Sequence, residues 1–156
     1  MRFEHLIEIN DPKLPFLIPL TRAQLWAGLM LRVEDSRPFL PGLDECRIVR
    51  RSEGMVERAL RWGEVEVWDR VTFEAETWVR FDTPPSAHHG GGLLTITIEE
   101  PEPERLFLRF LYETMFASGH ETEDAGYADY LRQAYEAAGI DTVQRIRELA
   151  ESASRH

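Results

Sequence analysis

Residues 55–72 read Met55-Val56-Glu57-Arg58-Ala59-Leu60-Arg61-Trp62-Gly63-Glu64-Val65-Glu66-Val67-Trp68-Asp69-Arg70-Val71-Thr72. Two segments that alternate in polarity flank a dipeptide with glycine first, the pattern of two strands joined by a type II′ turn at Gly63-Glu64. That turn sets Trp62 against Val65, Leu60 against Val67 and Val56 against Val71 on one face. On the other face Arg61 meets Glu66 and Glu57 meets Arg70. Opposed apolar pairs and opposed unlike charges both stabilise a sheet. A slip by one residue would put Leu60 opposite Glu66 or Trp68, and Arg61 opposite Val65 or Val67, so the alternation predicts a single register. The register has a chemical consequence. Arg58 and Asp69 fall directly opposite each other on the apolar face, between Val56/Val71 and Leu60/Val67, and an ion pair on the concave side of the sheet is expected.

The same strand-and-turn pattern runs on both sides of this hairpin. Strands are expected at 45–52, 55–62, 65–74, 77–83, 93–100 and 105–115, nearly all joined by hairpin-length connections, which makes the sheet antiparallel. Near the N-terminus Phe3, His5, Ile7 and Ile9 alternate as one face of a further strand, which Asp11-Pro12 and Pro15 break. A short helix follows from about Thr21 to Val33. Thr21 and Gln24 form a capping box, Leu20 can staple onto Leu25, and Leu25, Trp26, Leu29, Met30 and Val33 make its apolar stripe. Ser36 to Gly42 reads as a second, short helical turn. Residues 122–152 form a long helical pattern with Tyr127, Leu131, Ala134, Ala138, Ile146 and Leu149 towards one face. Gly139 interrupts it, and Asp141 with Gln144 can cap a restart, so a kink is expected. Seven strands with helices gathered on one face give an α+β architecture, a single domain over 1–156. The sheet should curve around the long C-terminal helix, with two short helices after the first strand. One amphipathic helix is too narrow to cover seven strands, and the uncovered space is a candidate ligand cavity.

The chain has 156 residues, 43% hydrophobic and 29% charged, which is globular composition and excludes a disordered or fibrous chain. No apolar run approaches the roughly 20 residues of a membrane span, and the N-terminus carries no secretory-signal pattern. The net charge of −10 argues against nucleic acid or an anionic membrane as a partner, because both require a basic footprint. Cys46 is the only cysteine and cannot form an internal disulfide, which fits a reducing, cytoplasmic location. Lys13 is the only lysine; every other cation is arginine. Genomic base composition explains most such biases, but arginine alone can make forked pairs with carboxylates.

This order of elements resembles the helix-grip fold of the START-type, or SRPBCC, superfamily, which includes pollen allergens and polyketide cyclases. Individual stretches carry the likeness further: Phe3-Glu4-His5-Leu6-Ile7-Glu8-Ile9-Asn10, Leu20-Thr21-Arg22-Ala23-Gln24-Leu25-Trp26-Ala27-Gly28-Leu29 and Phe39-Leu40-Pro41-Gly42. Leu94-Thr95-Ile96-Thr97-Ile98-Glu99-Glu100 and Phe107-Leu108-Arg109-Phe110-Leu111-Tyr112-Glu113 complete it. Together they are similar to a bacterial and fungal, AtaL-like branch of the superfamily with no assigned reaction. The resemblance implies a fold that binds lipids, hormones or polyketides and in some members catalyses. No cofactor is expected.

A cavity in such a fold would be lined by Trp26, Met30, Phe39, Val67, Phe81 and Tyr112, with Arg58 and Asp69 as polar contacts. The Arg58–Asp69 pair also makes sense as a hydrogen-bonded strut with no role in binding. His5 shares its strand face with Phe3 and Ile7 and should point inward. It is the natural acid/base candidate by its titration range, beside Arg58 and Asp69, although an inward histidine is more often a packed core residue. Leu106, Leu108, Phe110 and Tyr112 alternate, which favours Tyr112 over Glu113 as the inward residue. Tyr127, Tyr130 and Tyr135 recur at near-helical spacing, as packing residues do.

The loop 84–92 holds His88, His89 and three glycines. Neither HExxH nor Cys/His spacing accompanies the histidines, so no metal is expected, and the glycines would suit a lid over the cavity mouth. His120-Glu121-Thr122-Glu123-Asp124 is better read as a helix start, with Thr122 as cap, than as a ligand set. Ser36, Ser52 and Ser86 lack a nucleophile-elbow context, and Cys46 has no nearby histidine. Three functions follow. The first is binding of a small, largely hydrophobic or amphipathic molecule. The second is a polyketide cyclase or dehydratase working in the same cavity. The third is a protein–protein module with a filled interior.

Overall fold

A computed structural model describes residues 1–85, 91–114 and 125–154. Its strands are β1 (Arg2–Glu8), β2 (Glu45–Ser52), β3 (Met55–Trp62), β4 (Val65–Glu74), β5 (Trp78–Thr83), β6 (Gly92–Glu102) and β7 (Arg105–Thr114). Helix α1 (Arg22–Glu34) lies between β1 and β2, and α2 (Ala125–Ser154) follows β7. The seven strands form one curved antiparallel sheet in the order β1-β7-β6-β5-β4-β3-β2. Sequential hairpins build it from β2 to β7, and β1 closes it by pairing with β7, Phe3 opposite Tyr112 and His5 opposite Phe110.

The β3–β4 hairpin adopts the expected register at every pair, from Val56↔Val71 through Arg58↔Asp69 and Leu60↔Val67 to Trp62↔Val65. Gly63 has φ +59 while Glu64 stays out of positive φ, the signature of glycine at the first position of a II′ turn. Glu57 and Arg70 pair across the outer face at 3.0 Å. Arg61 departs from expectation: it stands opposite Glu66 but turns to Glu45 on the neighbouring strand, 3.2 Å away. A central strand has two neighbours, and a hairpin read alone supplies only one.

Thr21 and Gln24 form the capping box: Gln24 N–H donates to Thr21 Oγ1 at 3.0 Å, and Thr21 N–H donates to Gln24 Oε1 at 2.9 Å. The buried face of α1 is Leu25, Gly28, Leu29, Arg32 and Val33. Trp26 and Met30, assigned to the stripe from sequence, flank it and are partly buried. The second short helix is a correction. Residues 36–43 make turns only, with the Phe39 and Leu40 N–H groups both donating to the Ser36 carbonyl.

Helix α2 runs without interruption through Gly139, the position where a kink is expected from the sequence. Gly139 is buried, and an added Cβ there would lie 3.4–3.6 Å from Ile7, Phe110 and His5. Those are ordinary van der Waals distances, so the helix lies close on the sheet here with room for no more than a methyl group. Gly28 is tighter, between the helices, since a Cβ there would fall 2.5 Å from Ile146 Cγ2. The inward face of α2 runs through Leu131, Tyr135, Gly139, Val143 and Ile146, whereas Ala134 and Ala138 are exposed. These contacts seat the C-terminal half of α2 closely on β1, β7 and α1. Its N-terminal half stands off the sheet on larger side chains, and the space beneath it is a cavity.

Candidate functional site

The site is built around Arg58. Strand alternation points it inward between Val56 and Leu60, and the register brings Asp69 opposite. The two side chains are 1% and 3% exposed. Arg58 Nε donates to Asp69 Oδ1 at 2.9 Å and Nη2 to Oδ2 at 2.6 Å, a bidentate fork that lysine could not make. Nη1 faces the end of α1, 3.1 Å from the Arg32 and Val33 carbonyls and 2.8 Å from Ser36 Oγ. The last carbonyls of a helix have no intrahelical donors. Arg58 satisfies two of them, and its charge complements the negative helix end. Ser36 is fully buried and its Oγ donates to the Arg32 carbonyl at 2.6 Å. This polar cluster ties β3, β4 and the end of α1 into one unit.

Arg32 lies beside it, in the last turn of α1. It is buried; Nη1 donates to Thr142 Oγ1 of α2 at 2.9 Å, and Nε has no acceptor. Burial lowers its pKa. Both guanidinium groups lie over Phe81, with Cζ 5.0 Å (Arg32) and 5.3 Å (Arg58) from the ring centroid. On the β7 side, Tyr112 stacks on Tyr135 at 4.2 Å with the rings 13° apart. Burial raises the pKa of both phenols, and the Arg32 charge opposes that rise at Tyr112.

These groups wall a cavity of about 600 Å³ between the concave sheet and the N-terminal half of α2. Leu60, Val67, Phe81, Leu94 and Tyr112 face it from the sheet, Leu131 and Tyr135 from α2, and Arg32, Ser36, Arg58 and Asp69 from its polar end. Thr114 also lines it, and its Oγ1 is buried without a partner.

Of the lining proposed from sequence, Arg58, Val67, Asp69, Phe81 and Tyr112 lie at this cavity, while Trp26, Met30 and Phe39 do not. Trp26 packs on Phe73, ring centroids 6.2 Å apart. Met30 packs against the core, and Phe39 is part of it. The stripe of α1 shows which side meets the sheet, but the helix lies along it so that only its last turn reaches the cavity. His5 faces inward as expected, yet it sits beneath Gly139 and outside the cavity, with Nδ1 buried and unpartnered. Sequence reasoning missed Arg32. Its signal was position: seven residues after Leu25 and three after Leu29, it falls on the apolar stripe, where an arginine needs a reason. His88, His89 and His120 lie outside the described residues, as do Thr122 and most of the loop read as a lid. Among the described residues no group of three or more His, Cys, Asp and Glu could hold a metal, and no helix is long and apolar enough to cross a membrane.

Several solved structures share the fold. The Zhui aromatase/cyclase of Streptomyces sp. R1128 superposes with a TM-score of 0.65 at 16% identity, over 97% of this chain and 93% of its own. The di-domain ARO/CYC StfQ of the steffimycin biosynthetic pathway gives 0.72 at 11% identity, over 99% of this chain and 52% of its own. Ara h 8.0201 gives 0.63 at 11% identity, over 97% and 98%. At these identities the likeness establishes the fold, a helix-grip fold of the START/SRPBCC type. No curated protein sequence matches the chain. The model of one family, acetylaranotin biosynthesis cluster protein L, matches residues 7–153, nearly the whole length, and the chain belongs to that AtaL family.

Proposed function

We infer that the chain, as one domain over residues 1–156, binds a small, largely hydrophobic or amphipathic molecule in the cavity beneath α2. The observation that carries this reading is the cavity itself, about 600 Å³ with an apolar wall and a cluster of polar groups at one end. Ligand pockets typically occupy about 300–1,000 Å³ and combine apolar lining with a few placed polar groups. The protein–protein alternative called for a filled interior, and the cavity weighs against it. The single free cysteine is consistent with work in the cytoplasm.

A second reading, a cyclase- or dehydratase-like enzyme, draws support from the folds of Zhui and StfQ and from the polar end of the cavity. His5 is not a suitable proton-transfer group for it, since the cavity does not reach that side chain. Tyr112, beside Arg32, is the better placed acid. Arg58 and Asp69 act in either case as the support for this wall, because the fork and the α1 carbonyls occupy the guanidinium.

Native mass spectrometry of the purified protein tests the binding reading directly. A co-purifying small molecule, lost in a Leu94→Trp variant that fills the cavity, is the expected result. A native protein that neither carries a small molecule nor takes up an added hydrophobic dye such as Nile red would overturn it.

A further inference from the structure

The polar end of the cavity is not electrically balanced. Among the described residues it holds two guanidinium groups, Arg32 and Arg58, and one carboxylate, Asp69. Asp69 already has both oxygens in the fork with Arg58. Arginine stays protonated in proteins even when burial lowers its pKa, so Arg32 is a buried positive charge whose stated partners are a hydroxyl and an aromatic ring. Among the described residues, the other groups at the cavity do not supply the missing negative charge. Burial keeps the Tyr112 and Tyr135 phenols neutral at ordinary pH. Glu113 touches the rim, but alternation along β7 sends its side chain to the face opposite Tyr112.

The unmet donor also has a shape. Arg58 grips Asp69 with its Nε–Nη2 edge, the edge that matches a planar carboxylate. Arg32 turns Nη1 to Thr142 and leaves Nε of that same edge without an acceptor. A buried donor left unsatisfied costs about 1–3 kcal/mol. We propose that Arg32 is an anion-recognition site and that the cavity's ligand is a small amphipathic carboxylate. Its apolar body would lie along Val67, Phe81 and Leu94, and its head group at the Arg32 guanidinium. A monoanion balances the single excess charge; a dianion such as a phosphate monoester would reverse the imbalance. The proposal rests on the reading that the cavity takes a ligand at all, and it adds the chemical class of that ligand.

Calorimetric titration with naphthylacetate and naphthylethanol tests it, since the two share a ring system and differ in the charge of the head group. The native protein should bind the carboxylate about 10- to 100-fold more tightly than the alcohol, the range expected for a buried hydrogen bond to a charged group. Arg32→Met should bring the carboxylate down to the alcohol's affinity and leave the alcohol unaffected, and Arg32→Lys should retain part of the preference. Equal affinities in the native protein would overturn the anion site and leave the cavity reading standing. An undiminished carboxylate preference in Arg32→Met would also overturn it. Binding of neither probe, nor of Nile red, would remove both readings together. Should Arg32→Met fold poorly, the comparison within the native protein and Arg32→Lys still decide.

Discussion

Replacing Asp69 with leucine should destabilise the protein by about 3–5 kcal/mol, the cost of stranding one member of a buried ion pair. The structure places this change among severe substitutions, because the pair is 1% and 3% exposed and both carboxylate oxygens are hydrogen-bonded. The stranded Arg58 would remain beside Arg32, with both guanidinium groups over Phe81. For a chain of this size each kcal/mol moves Tm by about 2–4 °C, so the expected fall is about 6–20 °C. Arg58→Met removes the fork as well, and in addition leaves the Val33 carbonyl and Ser36 Oγ without the Arg58 donor, while the Arg32 carbonyl keeps only Ser36 Oγ. Its cost should match or exceed that of Asp69→Leu. The double variant Arg58→Met/Asp69→Leu has no stranded charge but still lacks those hydrogen bonds, each worth about 1–3 kcal/mol when a buried partner is left unmet. It should therefore be more stable than the sum of the single changes predicts, by at least about 2 kcal/mol. Urea unfolding followed by circular dichroism gives all corners of this cycle, with unchanged m-values as the check on two-state behaviour. Loss of less than about 1 kcal/mol in Asp69→Leu, or additive single effects, would refute a buried and coupled pair.

The same double variant should keep its affinity for naphthylacetate, because Arg58 is engaged by the scaffold; loss of binding in a folded double variant would make the pair a ligand contact. Gly28→Val places methyl groups into Ile146, where even a Cβ would lie 2.5 Å from Cγ2, and should cost about 1–3 kcal/mol. Adding Ile146→Ala should recover part of that loss in urea unfolding, and no recovery would exclude the clash as its cause. Glu99 accepts hydrogen bonds from Arg109, which hold its carboxyl below the usual range. Such a group stabilises the fold above its unfolded pKa of about 4.3 and loses that contribution as pH falls through the lower folded value. Glu99→Gln should thus change stability at neutral pH by less than about 1 kcal/mol, since the pair is partly exposed, and flatten the drop in Tm below about pH 4. Parallel Tm curves for the two proteins in a pH series would count against it.

The hairpin from Met55 to Thr72 was legible because its evidence is local. Turn, apolar pairing and charge pairing all fall within one short segment and agree. The capping box of α1 was legible for the same reason. What failed depended on a third element. Arg61 chose Glu45 because β2 lies on its other side. Gly139 reads as an interruption of the helical pattern because sequence shows its low helix propensity and not the sheet beneath it, and the helical residues run on through it. Trp26 and Met30 belong to the inward side of α1, but the position of the helix along the sheet decides which turn meets the cavity, and no periodicity encodes that.

Arg32 joins both cases. An arginine on an apolar stripe is visible in the sequence, and the usual account is a long side chain that reaches past the core to water. The fold closes that route. Gly28 draws Ile146 of α2 against α1, and one turn later in α1 and one turn earlier in α2 Thr142 meets Arg32 and accepts its Nη1 hydrogen bond. The neighbouring acid is already held by Arg58, whose place beside Asp69 follows from the hairpin register. Each step is ordinary packing, and together they leave one guanidinium inside the molecule, facing a cavity, with a donor unused. A protein of net charge −10 has carboxylates to spare, yet among the described residues none besides Asp69 stands at this polar end. Stability alone would favour an apolar side chain or an internal carboxylate there, so the arrangement makes physical sense if the balancing negative charge arrives with the ligand.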